Sequence, residues 1–326
     1  MACFSPVTIT VKEPNFTGGL RRLQVPCGKC FSCLKRYQYD WSLRISSEFR
    51  HYGSGIFFTL TYSNDHVPTR IHLDTGEFFF SVCKRHVQNL LKRLRTSYFR
   101  MYGVKADIKY FITSEYGPRT FRPHYHGIIF GISLQDFTLL ALRDWRRRYG
   151  FFSARVVSGN NCLKSARYVA KYCSKGCFEC PYVSKGLVDK TFHLVSKGLG
   201  MSYVNSMRDF HLCKDLPHNL FSRLNYHKFV GDRCFVLMDN FKYSMPKYYK
   251  IKIYGQKTYL SRKVADYLRQ KYELLLDEKL RQLQSSRHCS LGEAYYIHNM
   301  QDDSQRLYAN QNAREALARY YSKSML

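Results

Sequence analysis

Apolar and polar positions change their period several times along the chain, and each change marks an element. Ile56 to Tyr62 is a run of aromatic, β-branched and leucine residues between a glycine break at Gly53 to Gly55 and the polar loop Ser63 to Pro68. That composition predicts a strand. A short strand is expected over Glu77–Val82. Val87, Leu90, Leu91, Leu94 and Tyr98 recur at helical spacing and predict a helix from Lys84 to Tyr102. Ile108 to Glu115 reads as a strand, Tyr116-Gly117-Pro118 as a turn, and His124 to Phe130 as the next strand. Ser133 with Asp136 resembles a capping box opening a helix that runs to about Arg148. Phe151 to Val157 reads as a further strand, and Asn161 to Lys175 as a helix. Farther on, the periodicity weakens. Residues 181–245 read as loops and short strands, Lys247 to Tyr254 as a strand, Ser261 to Gln284 as a long helix and Asp303 to Ser322 as another.

The order strand, helix, strand, strand, helix, strand predicts an α+β fold with a ferredoxin-like or RRM-like antiparallel sheet. Both crossover helices should pack on one face, leaving the helix Asn161 to Lys175 to cross the other. Three divisions follow: residues 1–55, an irregular, basic, cysteine-rich segment; residues 56–180, the sheet domain; and residues 181–326, a basic, partly helical region with no assignable chemistry. No internal repeat is present.

Charge narrows the partner. Among 326 residues, 52 are Lys or Arg and 24 are Asp or Glu, a net charge of +28. Such an excess is the footprint of a polyanion partner. Aromatic residues make up 16%, with 27 Tyr and 23 Phe. Rings among cations suit single-stranded nucleic acid, whose unpaired bases stack on them. No apolar run approaches the ~20 residues of a membrane span. Met1 to Phe16 lacks a basic start followed by an apolar core, so no signal peptide is expected. The twelve cysteines are then expected as thiols or metal ligands in a reducing cytoplasm.

Two stretches carry candidate chemistry. In the strand His124 to Phe130, alternation puts His124 and His126 on one face, at a separation one metal ion can bridge. Glu115, near the end of the preceding strand, can be brought alongside by the turn. Two imidazoles and a carboxylate with open positions suit Mg²⁺ or Mn²⁺ that must also hold a phosphate oxygen. A His-x-His alone is more often an ordinary strand feature. In Asn161 to Lys175, the helical period places Lys164, Tyr168, Lys171, Tyr172 and Lys175 on one side, and Leu163, Ala166, Ala170 and Cys173 on the other. Tyr168 and Tyr172 then face a cleft as paired nucleophiles, with Lys171 to steady charge on a phosphate. The rival reading is an amphipathic helix whose tyrosines pack at a boundary.

The cysteines form a third constellation. Cys27-x-x-Cys30-x-x-Cys33 and Cys177-x-x-Cys180 have zinc-ligand spacing. Cys27 and Cys30 with Cys177 and Cys180 close one four-ligand set, and Cys33 is the alternative member. Free thiols are the competing reading, and no thioredoxin-like context supports redox catalysis. Basic clusters at Arg143 to Arg148, Lys92-Arg93 with Arg95, and Arg21-Arg22 are candidates for a phosphate track.

His124-Tyr125-His126 with Tyr168-Val169-Ala170-Lys171-Tyr172 resembles the motif pair of the HUH rolling-circle replication initiators. Phe57-Phe58-Thr59-Leu60-Thr61-Tyr62 resembles the strand motif before them. The two-tyrosine run resembles the initiators of microviruses. Pro26 to Cys33, with Trp41 and Arg44, is similar to the gokushovirus branch, and a weaker similarity extends to Ser196–Gly200 and Pro246–Tyr249. The resemblance implies a metal-dependent nickase on an HUH sheet, with His124 and His126 as metal ligands, Tyr168 and Tyr172 as nucleophiles and Lys171 assisting. The carboxylate position, here Glu115, varies among initiators. The implied function is nicking and rejoining of single-stranded DNA at a phage replication origin through a 5′-phosphotyrosine, in the host bacterial cytoplasm, with host helicase or polymerase as further partners. The alternatives are an HUH transposase or relaxase, and a non-enzymatic zinc-bearing binder of single-stranded nucleic acid.

Overall fold

The computed structural model describes residues 3, 6–12, 20–28, 30–159, 161–175, 180–217, 220, 222, 224–238, 241–256, 258–294 and 296–298. They fall into two compact units, one ending at Ser202 and the other starting at Tyr203.

The first unit opens with a hairpin of β1 (Val7–Lys12) and β2 (Leu20–Val25), followed by helix α1 (Phe31–Tyr52). Then come β3 (Ser54–Tyr62), a small hairpin of β4 (Thr69–Ile71) and β5 (Phe78–Phe80), α2 (Lys84–Tyr102), β6 (Lys109–Tyr116) and β7 (Pro123–Phe130). A helical stretch follows as α3 (Leu134–Phe137), a π-type turn at Thr138–Leu142 and α4 (Arg143–Arg148). The unit continues with β8 (Gly150–Ser158), α5 (Asn161–Lys175), α6 (Pro181–Ser184), β9 (His193–Val195) and the start of α7 (Met201–His211). Five strands form an antiparallel sheet in the order β8-β3-β7-β6-β9. The expected strands, crossover helices and tyrosine helix are all present. Ser133 Oγ accepts the Asp136 N–H at 3.0 Å, as the capping box requires.

Alternation divides the sheet residues between two cores. On one face Ile56, Phe58, Leu60 and Tyr62 of β3, with Tyr125 and Ile129 of β7, meet Val87, Leu90, Leu91 and Leu94 of α2 and Phe137, Leu142 and Trp145 of the α3–α4 stretch. On the other face Phe111, Ile128, Phe130 and Val157 meet Ala166, Val169 and Ala170 of α5, together with Ile45 and Phe49 of α1.

Helix α1 corrects the expectation that residues 1–55 are irregular. Its buried side carries Ser32, Ser42, Ser46, Ser47 and Glu48 among Leu34, Leu43, Ile45 and Phe49, so no apolar stripe is visible in the sequence. The serines fit because their hydroxyls bond locally: Ser42 and Ser47 donate to the carbonyls of Tyr39 and Arg44, both at 2.8 Å.

The second unit contains most of α7, α8 (Tyr226–Asp232), the hairpin β10 (Phe235–Met238) and β11 (Phe241–Ser244), α9 (Lys247–Tyr254) and α10 (Tyr259–Arg287). The long helix is as expected. Lys247–Tyr254, expected as a strand, is a helix. Its alternation is too short to fix a period, and Tyr249, Ile253 and Tyr254 share one buried helical side. Helices α6, α7 and α8 likewise replace part of the loops expected over residues 181–245. The expected helix Asp303 to Ser322 lies outside the described residues.

Candidate active site

Strand register assembles the centre of the site. His124 stands opposite Glu115 on β6 and Thr61 on β3; His126 stands opposite Thr113 and Thr59. Glu115 Oε2 lies 3.3 Å from His126 Nε2. On the other side of that ring, Nδ1 shares a hydrogen bond of 3.1 Å with Thr59 Oγ1. When Nδ1 carries the shared proton, the Nε2 lone pair faces the Glu115 carboxylate. Two electron-rich atoms at that separation call for a proton or a cation between them. Burial, and next the neighbouring His126, push the His124 pKa below its ordinary value, so His124 is neutral and able to donate a lone pair at neutral pH.

Helix α5 lies across this face. Ala166, Val169 and Ala170 are buried beneath it, while Lys164, Arg167, Tyr168 and Lys171 are exposed. The amphipathic division is thus as the period predicts for these residues. The Tyr168 ring centre is 5.6 Å from Phe57 and 6.4 Å from His126, and the side chain is 47% exposed. Tyr168 therefore stands beside the histidine pair and remains open to a ligand. Tyr172 follows one turn later on the same helix, with its side chain outside the described residues. Beside Tyr168, Phe57, Arg155, Val157 and Lys164 line an open cleft of about 450 Å³. Its floor is aromatic and its rim cationic: the Arg155 guanidinium lies 5.5 Å from the Phe57 ring centre. That combination accepts a flat base and a phosphate together.

Helix α1 supplies residues that sequence reasoning did not connect to the site. Tyr37 Oη and His193 Nε2 are 2.7 Å apart, and His193 sits opposite Thr113 on the histidine-bearing face. Trp41 packs on Phe111 with ring centres 5.0 Å apart, and the Arg44 guanidinium covers the indole at 4.1 Å. Arg44 also donates to the Leu199 carbonyl at 3.1 and 2.8 Å, and Glu48 accepts the Gly200 N–H. These two contacts from successive turns pin Ser196–Gly200 to α1. Lys35 is near enough to Lys171 to feel its charge; burial first, then Lys171, lower the Lys35 pKa. The pairing of Trp41 and Arg44 three residues apart was the available signal, but it needed a helix the apolar pattern did not reveal.

Other expected groups are placed differently. Arg93, Arg147 and Arg148 converge on Asp144, with the closest contact 2.6 Å from Arg93. They lie on the helices that cover the opposite face, away from the histidines. Cys27, Cys30 and Cys33 gather with Cys3, which the spacing did not select. Cys180 is instead buried in the α2-side core, and Cys177 lies outside the described residues. Among the described residues, only these four cysteines bring potential metal-donor atoms all within 4.8 Å of one another. His124, His126 and Glu115 share a face without being drawn so tightly together.

With this geometry in hand, comparison with known proteins is informative. The family described as replication-associated protein ORF2 matches residues 55–177. The replication-associated protein ORF2 of Spiroplasma virus 4 is 30% identical over 190 residues, covering 55% of this chain and 56% of that protein. The chain is a relative of the microvirus replication-associated proteins. The replication-associated protein ORF4 of Chlamydia phage 1 is 27% identical over 244 residues, 69% of this chain and 52% of its own length. The corresponding VP4 of Bdellovibrio phage phiMH2K is 28% identical over 198 residues, 54% and 58% respectively. The chain thus spans about half the length of the replication-associated relatives it matches. No solved structure matches it. The family segment, residues 55–177, runs from β3 through α5 and includes Glu115, His124, His126, Tyr168 and Tyr172; α1 and the four gathered cysteines precede it. No helix among the described residues is long and apolar enough to cross a membrane.

Proposed function

We propose that this protein is a phage replication initiator that nicks single-stranded origin DNA and rejoins it, and that its sheet is the ferredoxin-like sheet of the HUH endonucleases. The observation that carries this reading is the meeting of β7 and α5. Tyr168 stands 6.4 Å from His126, ring centre to ring centre, on a face that also holds His124 and Glu115.

His124, His126 and Glu115 would hold Mg²⁺ or Mn²⁺, a donor set of imidazole nitrogen and carboxylate oxygen suited to either ion. When bound, such an ion polarises a phosphate oxygen. The chain's own residues do the rest. Thr59 orients the His126 ring. The phenol oxygen of Tyr168 or Tyr172 attacks the scissile phosphorus as the bond to the 3′ oxygen breaks; the phenol proton leaves and the 3′ oxygen gains one. Lys171 lies one turn from either tyrosine and offsets the charge on the phosphate. The 5′-phosphotyrosine conserves the bond energy, so a 3′-hydroxyl can later attack it, restoring the phosphodiester and releasing tyrosine. Two tyrosines permit the second cut that a rolling-circle cycle needs: one holds a 5′ end while the other attacks the regenerated origin. The relatives' names, replication-associated proteins of three phages, support a phage origin as the substrate, with the host replication machinery extending the freed 3′ end.

The test is incubation of the full chain with single-stranded phage origin DNA and Mn²⁺, followed by denaturing electrophoresis and peptide mapping. A covalent adduct is expected on Tyr168 or Tyr172. Tyr168→Phe and Tyr172→Phe each leave one cleavage at reduced rate but impair circle release, and the double substitution gives no adduct. His124→Ala and His126→Ala abolish cleavage with DNA binding largely kept. An adduct on neither tyrosine refutes the assignment, and binding without any adduct leaves the non-enzymatic reading.

A further inference from the structure

We propose that Cys3, Cys27, Cys30 and Cys33 bind one zinc ion as a closed tetrathiolate centre, which ties the N-terminal hairpin to the start of α1. The inference is independent of the nickase reading, since none of the four belongs to the histidine-bearing face.

The four sulfurs all lie within 4.8 Å of one another, and Cys3 Sγ and Cys30 Sγ are 3.8 Å apart. A tetrahedral zinc with Zn–S bonds of about 2.3 Å requires sulfur–sulfur edges of about 3.8 Å. The cluster therefore has the size of a one-metal thiolate site before any metal enters. Disulfide bonding would need sulfurs about 2.05 Å apart and would pair them two by two. A four-iron cluster holds its thiolates on separate irons and so demands a wider cage.

The backbone is arranged for thiolates. The Cys30 N–H donates to Cys27 Sγ, and the Cys27 N–H donates to Cys3 Sγ, each at 3.2 Å. Amide dipoles aimed at sulfur offset the negative charge that four thiolates would bring together. Between Cys27 and Cys30 the chain turns through Gly28 at φ +73°, a left-handed position that glycine adopts without strain. Cys30 is the N-cap of α1 and makes no side-chain cap, while Cys33 stands in the first turn, where a spacing of three residues puts the two on one side. The ligand order also has a structural meaning. Cys3 precedes β1 and the other three follow β2, so the metal closes the hairpin onto the helix. Spacing alone pairs Cys27 and Cys30 with Cys177 and Cys180; the fold replaces that distant pair with Cys3 and Cys33.

The experiment is elemental analysis of the full chain purified without chelator. About one zinc per chain is expected, retained in the His124→Ala/His126→Ala double variant and in Cys83→Ser and Cys289→Ser. Cys3→Ser and Cys33→Ser should lose most of it. Because either serine variant can fail to fold, the unaltered chain is also exchanged into cobalt(II), where intense visible bands and a thiolate-to-cobalt charge-transfer band mark a tetrahedral tetrathiolate. A metal-free chain with disulfides among the four cysteines, iron in place of zinc, full zinc occupancy in Cys3→Ser, or a cobalt spectrum without thiolate charge transfer would each overturn the proposal.

Discussion

Gly127 follows His126 on β7, and its own missing side chain points the other way, into the α2-side core. A Cβ there would lie 2.4 Å from Phe58 Cζ, 2.7 Å from Cε1 and 3.0 Å from Cε2. Phe58 is fully buried and packs edge-on against Phe137, itself fully buried, at 5.1 Å between ring centres. To reach ordinary contact the ring or the strand must move by about 1 Å in a close-packed interior. Overpacking of this kind costs ~1–3 kcal/mol, and the immobile ring puts Gly127→Ala in the upper half of that range. For a unit of this size, about 2–3 kcal/mol lowers Tm by roughly 4–12 °C. The assay is thermal and urea unfolding of Gly127→Ala, Phe58→Leu and the double variant. Phe58→Leu alone should destabilise by leaving a cavity, yet it removes the atoms that the new methyl strikes. The double variant should therefore be more stable than the sum of the two single losses implies. A parental Tm for Gly127→Ala, or strict additivity in the double variant, would refute the steric account. If the strand yields instead of the ring, His126 moves off Thr59, and cleavage should fall more than DNA binding.

Two further outcomes follow from charge. Burial lowers the pKa of His86, His124 and His193, so the folded unit binds fewer protons than the unfolded chain as pH falls below the ordinary histidine value of ~6.5; stability should be complete above that value and decline below it, read as a falling urea midpoint between about pH 7.5 and about pH 5.5. Burial raises the Glu48 pKa and acts in the opposite sense, its contribution being lost as pH rises through the folded value, so Glu48→Gln should steepen or leave unchanged the acid decline, and a midpoint that rises on acidification in that variant contradicts the histidine account. With a net charge of +28, affinity for single-stranded DNA should fall linearly in log–log form with salt, and a flat plot would exclude an electrostatic contact surface.

The sheet was legible because its elements follow simple rules. β3, β6 and β7 carry dense apolar and β-branched residues, α2 shows a clean helical stripe, and Ser133 marks a cap. The histidine pair and the exposed side of α5 were legible for the same reason, since both depend on local period alone. What escaped was encoded over long sequence separations or in unusual burial. α1 hides its period behind buried serines. Cys3 joins Cys27, Cys30 and Cys33 only because a hairpin returns the chain, which spacing cannot report. α9 looked like a strand because a short alternation of tyrosine, lysine and isoleucine satisfies either period. The link from Tyr37 to His193 depends on β9 pairing at the sheet edge, a contact between distant residues with no motif of its own.

The packing of α1 also governs the order in which the molecule can be completed. Its inward residues, Ile45 and Phe49, leave the ribosome well before Phe111, Ile128, Ala166 and Ala170, the surfaces they meet. During synthesis the helix must wait with those groups uncovered, a state in which chaperone binding competes with collapse. The opposite layer, built from β3, α2, β6 and β7, can begin to condense first because its partners emerge sooner. Closure of the histidine-bearing face comes only after α5 has been made, and the edge strand β9 and the Leu199 turn are added later still. Nascent chains therefore acquire the arrangement of Tyr168 over His126 near the end of the first unit's synthesis, which keeps a half-made polypeptide from carrying the assembled site.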